Sequence, residues 1–269
     1  MTTAGGRPWH GEDVRSRLAA LLALLAVATC TAATSPQPPP GPPHRDPLPL
    51  RPDGYGEVRP TPPELVDRRL TAPDVLPPPA DGAYKATIAP VLDAVLARST
   101  WTPDCPVKRA DLRYLTVGFH GFDGKAHTGE MLVNARVAED VTRVFGALFA
   151  AGFPIEEMRV VRRDELDAPP TGDDDNTTAF VCRKATGLTN WSAHAYGLAI
   201  DVNPFQNPYT KGDLVLPELS SAYLDRGDVR PGMIFDGGPV VAAFRRIGWT
   251  WGGHWDEPVD RQHFSETGK

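Results

Sequence analysis

Two stretches of this chain bring together residue types that do chemistry when a metal ion is present. Near the middle is Ser192-Ala193-His194-Ala195-Tyr196-Gly197-Leu198-Ala199-Ile200-Asp201, and near the end is Asp260-Arg261-Gln262-His263-Phe264. His194, Asp201 and His263 supply two imidazoles and a carboxylate, a donor set that suits a divalent ion with one position left for water. Asp260, three residues before His263, is a second carboxylate free to act on that water. These are the minimal parts of a zinc hydrolase.

The local pattern indicates how the donors are held. Residues 197–203 alternate, with Leu198, Ile200 and Val202 on one side and Ala199, Asp201 and Asn203 on the other. That is a strand signature, and it sends Asp201 to the face opposite the apolar set. His194 lies just ahead of the strand, and Gly197 permits a bend between them. Asp260 and His263 are spaced i and i+3, which on a helical turn would point them the same way.

The wider set of motifs resembles the VanY-like branch of the D-alanyl-D-alanine carboxypeptidase (M15) metallopeptidases. The stretches that carry the resemblance are residues 175–183, 192–204, Asn207-Pro208-Tyr209, 230–234, Gly248-Trp249-Thr250-Trp251-Gly252-Gly253 and 260–264. It implies a zinc-dependent peptidase that hydrolyses peptidoglycan stem peptides, with His194, Asp201 and His263 as zinc ligands and Asp260 as general base. It further implies that Arg183 steadies the substrate carbonyl or carboxylate, a role for which Arg162 and Arg163 compete. D,D-carboxypeptidase, L,D-carboxypeptidase and endopeptidase specificities all stay open. One alternative is an inactive wall-binding module that retains the zinc site. Another, a metal-independent hydrolase using Asp201 and Asp260, leaves both histidines without a task.

Around the motifs, Ser192 and Tyr196 are candidates to order the site, and His254 and Trp251 to contact substrate or support the ligands. Trp249 and Trp255 are candidates for a groove wall or for the core. The acidic run Asp173-Asp174-Asp175 reads as a solvated loop.

The N-terminal part reads as export machinery. Arg15 and Arg17 precede an apolar run at residues 18–28, too short to span a bilayer, so residues 1–30 read as a signal peptide or lipoprotein signal. The run ends at Val27-Ala28-Thr29-Cys30, which resembles a lipobox with Cys30 as the lipidated residue. Three cysteines are odd for an exported protein. Assigning Cys30 to a lipid leaves Cys105 and Cys182 to form one disulfide outside the cytoplasm. Residues 31–79 are proline-rich and read as a disordered, semi-rigid tether, with a helical turn over residues 63–70. The formal charge of -6 comes without a basic stripe, which argues against nucleic acid as a partner. The expected partner is a peptidoglycan peptide, met by a monomer whose only membrane attachment is the lipid.

The catalytic domain is expected over residues 80–269. Helices are predicted at 84–98, 138–151 and 240–247, and strands at 111–119, 130–133, 158–163 and from Thr250. Residues 121–126 read as a hairpin flanked by His120 and His127. The expected class is α+β, a small antiparallel sheet with helices packed on one side. The resemblance points to the hedgehog/DD-peptidase fold.

Overall fold

The computed structural model describes residues 46–268. The leader, with Cys30, and the first part of the proline-rich stretch lie outside the described residues. The elements in chain order are β1 (Ala86–Pro90), α1 (Asp93–Arg98), β2 (Leu112–His120), β3 (Ala126–Asn134), α2 (Ala138–Ala150), β4 (Ala199–Asp201), β5 (Tyr209–Lys211), β6 (Leu214–Leu216), α3 (Pro239–Arg246), β7 (Thr250–Trp251), β8 (Val259–Asp260) and β9 (His263–Ser265). They form three small antiparallel sheets, ordered β1-β2-β3, β4-β9-β7 and β6-β5-β8. The class is a mixture of α and β, as expected, with three sheets in place of one.

The long β2–β3 hairpin is the frame. Its alternation separates two apolar sets, because successive side chains face opposite ways. Leu115, Val117, Phe119, Met131 and Val133 pack under α2, which contributes Val141, Val144, Phe145 and Leu148. Each such side chain removed from water contributes about 1.5–3 kcal/mol. Leu112 and Leu132 face the other way, into a cluster with Val91, Val95, Cys105, Val107, Val160 and Phe180. The second face is thus covered in part, at Leu112 and Leu132 beside Val95 of α1, while β1 stays largely exposed; the helices are not all on one side. Cys105 and Cys182 are bonded within that second cluster, with Cα atoms 5.9 Å apart.

Three expected elements differ. Residues 84–98 form a strand and then a short helix, because Pro90 cannot donate inside a helix and residues 86–90 instead pair with β2. Residues 158–162 carry no strand, only isolated contacts such as the bridge from Arg162 to Ser99, and Arg163 begins a 3-10 turn. Asp260 and His263 do not share a helical turn; they sit on separate strands, β8 and β9.

The proline-rich stretch is also corrected from residue 46 onward. Leu65 is buried against Phe205, Leu219 and Tyr223, and Leu48 joins the same cluster. A 3-10 turn at Pro63–Leu65 matches the expected helical turn. Further along, the Ala72 N–H donates to the Glu156 carbonyl and Leu76 bridges Thr128. Proline-rich chain lacks internal ladders but keeps its carbonyls and side chains, and here these dock on the domain. Residues 46–79 are thus an arm of the folded unit.

Candidate metal centre

His194 lies in a 3-10 turn, Ala193–Tyr196, whose entry is capped by Ser192: its hydroxyl accepts the His194 N–H at 3.3 Å. Gly197 closes the turn with φ 68°, in the left-handed region. A Cβ there would stand 2.6 Å from the Asn134 amide nitrogen, so the close approach to β3 also requires glycine. The chain then enters β4, whose Asp201 is register partner to His263 of β9.

The three side chains meet. His194 Nε2 lies 3.2 Å from both His263 Nδ1 and Asp201 Oδ2, and Asp201 Oδ1 lies 3.0 Å from His263 Nδ1. Candidate donor atoms from all three fall within 4.8 Å of one another. His194 Nδ1 is 2.6 Å from the Ala179 carbonyl, which can only accept, so Nδ1 carries the proton and Nε2 is left with a bare lone pair. That lone pair is aimed at another ring nitrogen and a carboxylate. Donors held about 2.0–2.1 Å from a tetrahedral ion sit roughly 3.3 Å apart, close to the separations here. The donor set and its spacing fit a divalent metal ion. Burial works against charge on Asp201, but without a metal a proton on the facing ring nitrogens, His194 foremost, outweighs it and holds the carboxyl well below the usual range.

Asp260 completes the group. Its Oδ1 is buried with no hydrogen-bond partner among the described residues. Burial is the main force on its acidity and raises the pKa to about 7; Asp201 adds to the rise, while His263 and Arg183 oppose it. A carboxylate poised there is suited to proton transfer near neutrality. Gly252 lets the chain pass close by, since a Cβ at that position would stand 2.6 Å from the Asp260 carbonyl oxygen.

The group opens into a groove of about 810 Å³, walled by Arg183, Trp191, Tyr196, Tyr209, His254 and Trp255 among others. Arg183 stands in this wall, close enough to Asp260 to favour its charged form. The competing arginines lie elsewhere: Arg162 pairs with Asp164 at 3.1 Å, and Arg163 donates to the Trp101 carbonyl at 2.6 Å. Ser192 and Tyr196 both line the groove, as does His254, whose ring meets Trp251 edge-on at 5.0 Å. Trp251 itself is buried; its indole donates to the Arg261 carbonyl at 2.7 Å and so braces the turn between Asp260 and His263. Trp249 stacks on Phe244 in the core. His120 and His127 flank the hairpin away from this site, His127 between Asp74 and Asp123.

Sequence reasoning missed several contributors. Trp191 lines the groove under the Lys184 ammonium, 3.7 Å from its ring centroid, and only its place next to Ser192 hinted at this. The Ala179 carbonyl, which sets the His194 tautomer, has no sequence signal at all. Asp173 and Asp175 are buried against Arg68, which corrects the solvated-loop reading.

No helix among the described residues is long and apolar enough to cross a membrane. The disulfide fits action outside the cytoplasm. No curated protein and no solved structure matches the chain. Residues 186–266, which contain His194, Asp201, Asp260 and His263, match a peptidase M15 family model described as D-alanyl-D-alanine carboxypeptidase. That segment is similar to the M15 peptidases, and the similarity covers less than a third of the chain.

Proposed function

We propose that this chain is an exported zinc-dependent peptidase that hydrolyses peptidoglycan stem peptides. The observation that carries the reading is the convergence of His194, Asp201 and His263 beside a buried, unpartnered carboxylate oxygen of Asp260. Zinc held by the three donors would supply Lewis acidity and lower the pKa of a water to about 7. Asp260, with its buried unpartnered Oδ1, would take a proton from the attacking water and return it to the leaving amine. Arg183, on the groove wall, receives either the developing oxyanion or the free carboxylate of an exopeptidase substrate. A well-placed donor to an oxyanion contributes about 3–4 kcal/mol to the transition state. Trp191, Tyr209 and Trp255 give the peptide apolar contact and exclude water around it. Lipidation at Cys30 would hold this activity at the membrane, facing the wall.

The test is digestion of muropeptides of defined stem length, with and without chelator, read by mass spectrometry. Loss of terminal D-alanine, or scission within the stem, that stops with chelator and returns with zinc supports the proposal and identifies the bond. Zinc-loaded protein that leaves every stem peptide intact would overturn it.

A further inference from the structure

We propose that Arg68, in the proline-rich arm, is a positioning residue for the metal centre, acting through residues 173–179. The proposal rests on the reading of His194, Asp201 and His263 as a metal site.

Arg68 is fully buried, with its guanidinium 4.4 Å from the centroid of the Phe205 ring. Its Nε and Nη2 donate to the two oxygens of Glu156, each at 2.7 Å, while Nη1 donates to Asp173. Asp175 Oδ2 is 3.6 Å from Nε. One cation therefore gathers three buried carboxylates from two separate runs of chain. Paired forks of this kind fix orientation as well as charge.

The run it grips then reaches the metal donors within a few residues. Asp175 Oδ1 accepts the Phe205 N–H at 2.8 Å. Thr177 Oγ1 accepts the Asn203 N–H at 3.1 Å, and the Thr177 N–H donates to the Glu157 carbonyl at 2.9 Å. Thr178 exchanges two backbone hydrogen bonds with Asp201, at 2.9 and 3.0 Å. The Ala179 carbonyl holds His194 Nδ1 at 2.6 Å. Six steps along an extended chain reach no more than roughly 20 Å, which leaves little slack. The same short run that Arg68 clamps thus fixes the backbone of one metal donor and the ring of another. With the guanidinium gone, Glu156 and Asp173 would be left buried without their cation beside Asp175, whose acidity burial and Glu156 already weaken, and the run that shifts to relieve them is the run that sets Asp201 and His194. Arg68 lies outside the matched family segment, so the arm adds a support that the segment alone does not contain.

Two variants and one measurement on the unaltered chain test this. R68K keeps the charge but loses the fork. The variant R68M combined with E156Q, D173N and D175N removes the buried charge that would threaten folding, and the amide at position 175 keeps an oxygen to accept the Phe205 N–H. For each, zinc affinity is measured by chelator competition, the absorption spectrum of the cobalt-substituted protein is recorded, and the metal-free melting temperature is taken. We expect zinc affinity to fall by about ten-fold or more, with an altered cobalt spectrum, in whichever variant folds. A purely structural role would lower the melting temperature and leave both metal readouts at wild-type values, and that result would overturn the proposal. Coupling is reciprocal, so zinc added to the unaltered metal-free chain should slow hydrogen exchange of the amides around Arg68. Unchanged exchange there also overturns it. A wild-type chain with no affinity for zinc or cobalt instead overturns the metal-site reading beneath it.

Discussion

Asp201 and His263 are register partners across the β4–β9 ladder, and their side chains meet with Oδ1 3.0 Å from Nδ1. Directly opposed residues in an antiparallel pair lie about 4.5–5.5 Å apart at Cα, so the ladder itself brings together donors 62 positions apart in sequence. His194 is added by the turn that leads into the same strand. The site is therefore as rigid as the sheet, whose apolar side is sealed by Ile200, Phe244 and Phe264.

This makes the ligand set testable without disturbing the core. His263→Ala removes one of three donors, while Phe264 beside it keeps its stacking on Phe244 at 4.1 Å. Zinc affinity should fall by more than about 100-fold and hydrolysis should vanish with it. Metal content by atomic emission and far-UV circular dichroism check the two halves of that statement. A folded His263→Ala protein with wild-type metal content would remove His263 from the site.

Asp260→Asn should separate binding from turnover. The variant keeps all three donors, so it should retain metal, yet lose about 10²–10⁴-fold in kcat through loss of the base. The pH profile gives a second check. A base works only when deprotonated, so kcat/KM should rise with pH through the Asp260 pKa. In the metal-free chain that value is raised to about 7, and a nearby dication favours the carboxylate. The acidic limb should thus have its midpoint at or below about 7, and Asp260→Asn should abolish that limb.

The part of the fold legible in the sequence is the part governed by local periodicity. The α2 stripe is read correctly because it buries one continuous face, and β2 is read correctly from its alternation, while β3 begins at Ala126, ahead of the expected 130–133. The β1 segment fails because its apolar spacing is compatible with a helix, while Pro90 and the free edge of β2 decide for a strand. The metal donors were legible as residue types in motifs, and the pairing of β4 with β9 explains why they converge. What supports them was not legible. A backbone carbonyl at Ala179 and one of several arginines in a proline-rich arm carry no type or spacing that marks them.

Gly197→Ala tests how tightly the His194 turn is seated. The new Cβ would meet the Asn134 amide at 2.6 Å and the Val133 carbonyl carbon at 3.0 Å, in a left-handed conformation that side chains resist. Neither obstacle is a flexible side chain, so backbone must move. We expect a loss of about 2 kcal/mol or more, or a melting temperature lower by about 4–8 °C, together with weaker metal binding. Calorimetry on metal-free and zinc-loaded protein separates the two effects. Wild-type stability in both states would contradict the tight packing of this turn against β3.

The arm should be held in a pH-dependent way at His127. Its Nδ1 lies 2.8 Å from Asp74 of the arm and its Nε2 3.0 Å from Asp123. Burial acts to lower the His127 pKa, but the hydrogen bonds and charges of Asp123 and Asp74 outweigh it and raise the value above 6.5. The folded chain therefore binds this proton more tightly than the unfolded chain. That contribution is complete below the unfolded value and is lost as pH rises through the folded one. Between about pH 6 and pH 8.5 the wild-type chain should accordingly lose stability that His127→Gln and Asp74→Asn variants do not. Hydrogen exchange or limited proteolysis at residues 70–79 would report the loosening directly. An arm equally protected at both pH values would show that the buried contacts of Leu65 and Arg68 hold it without help from the histidine.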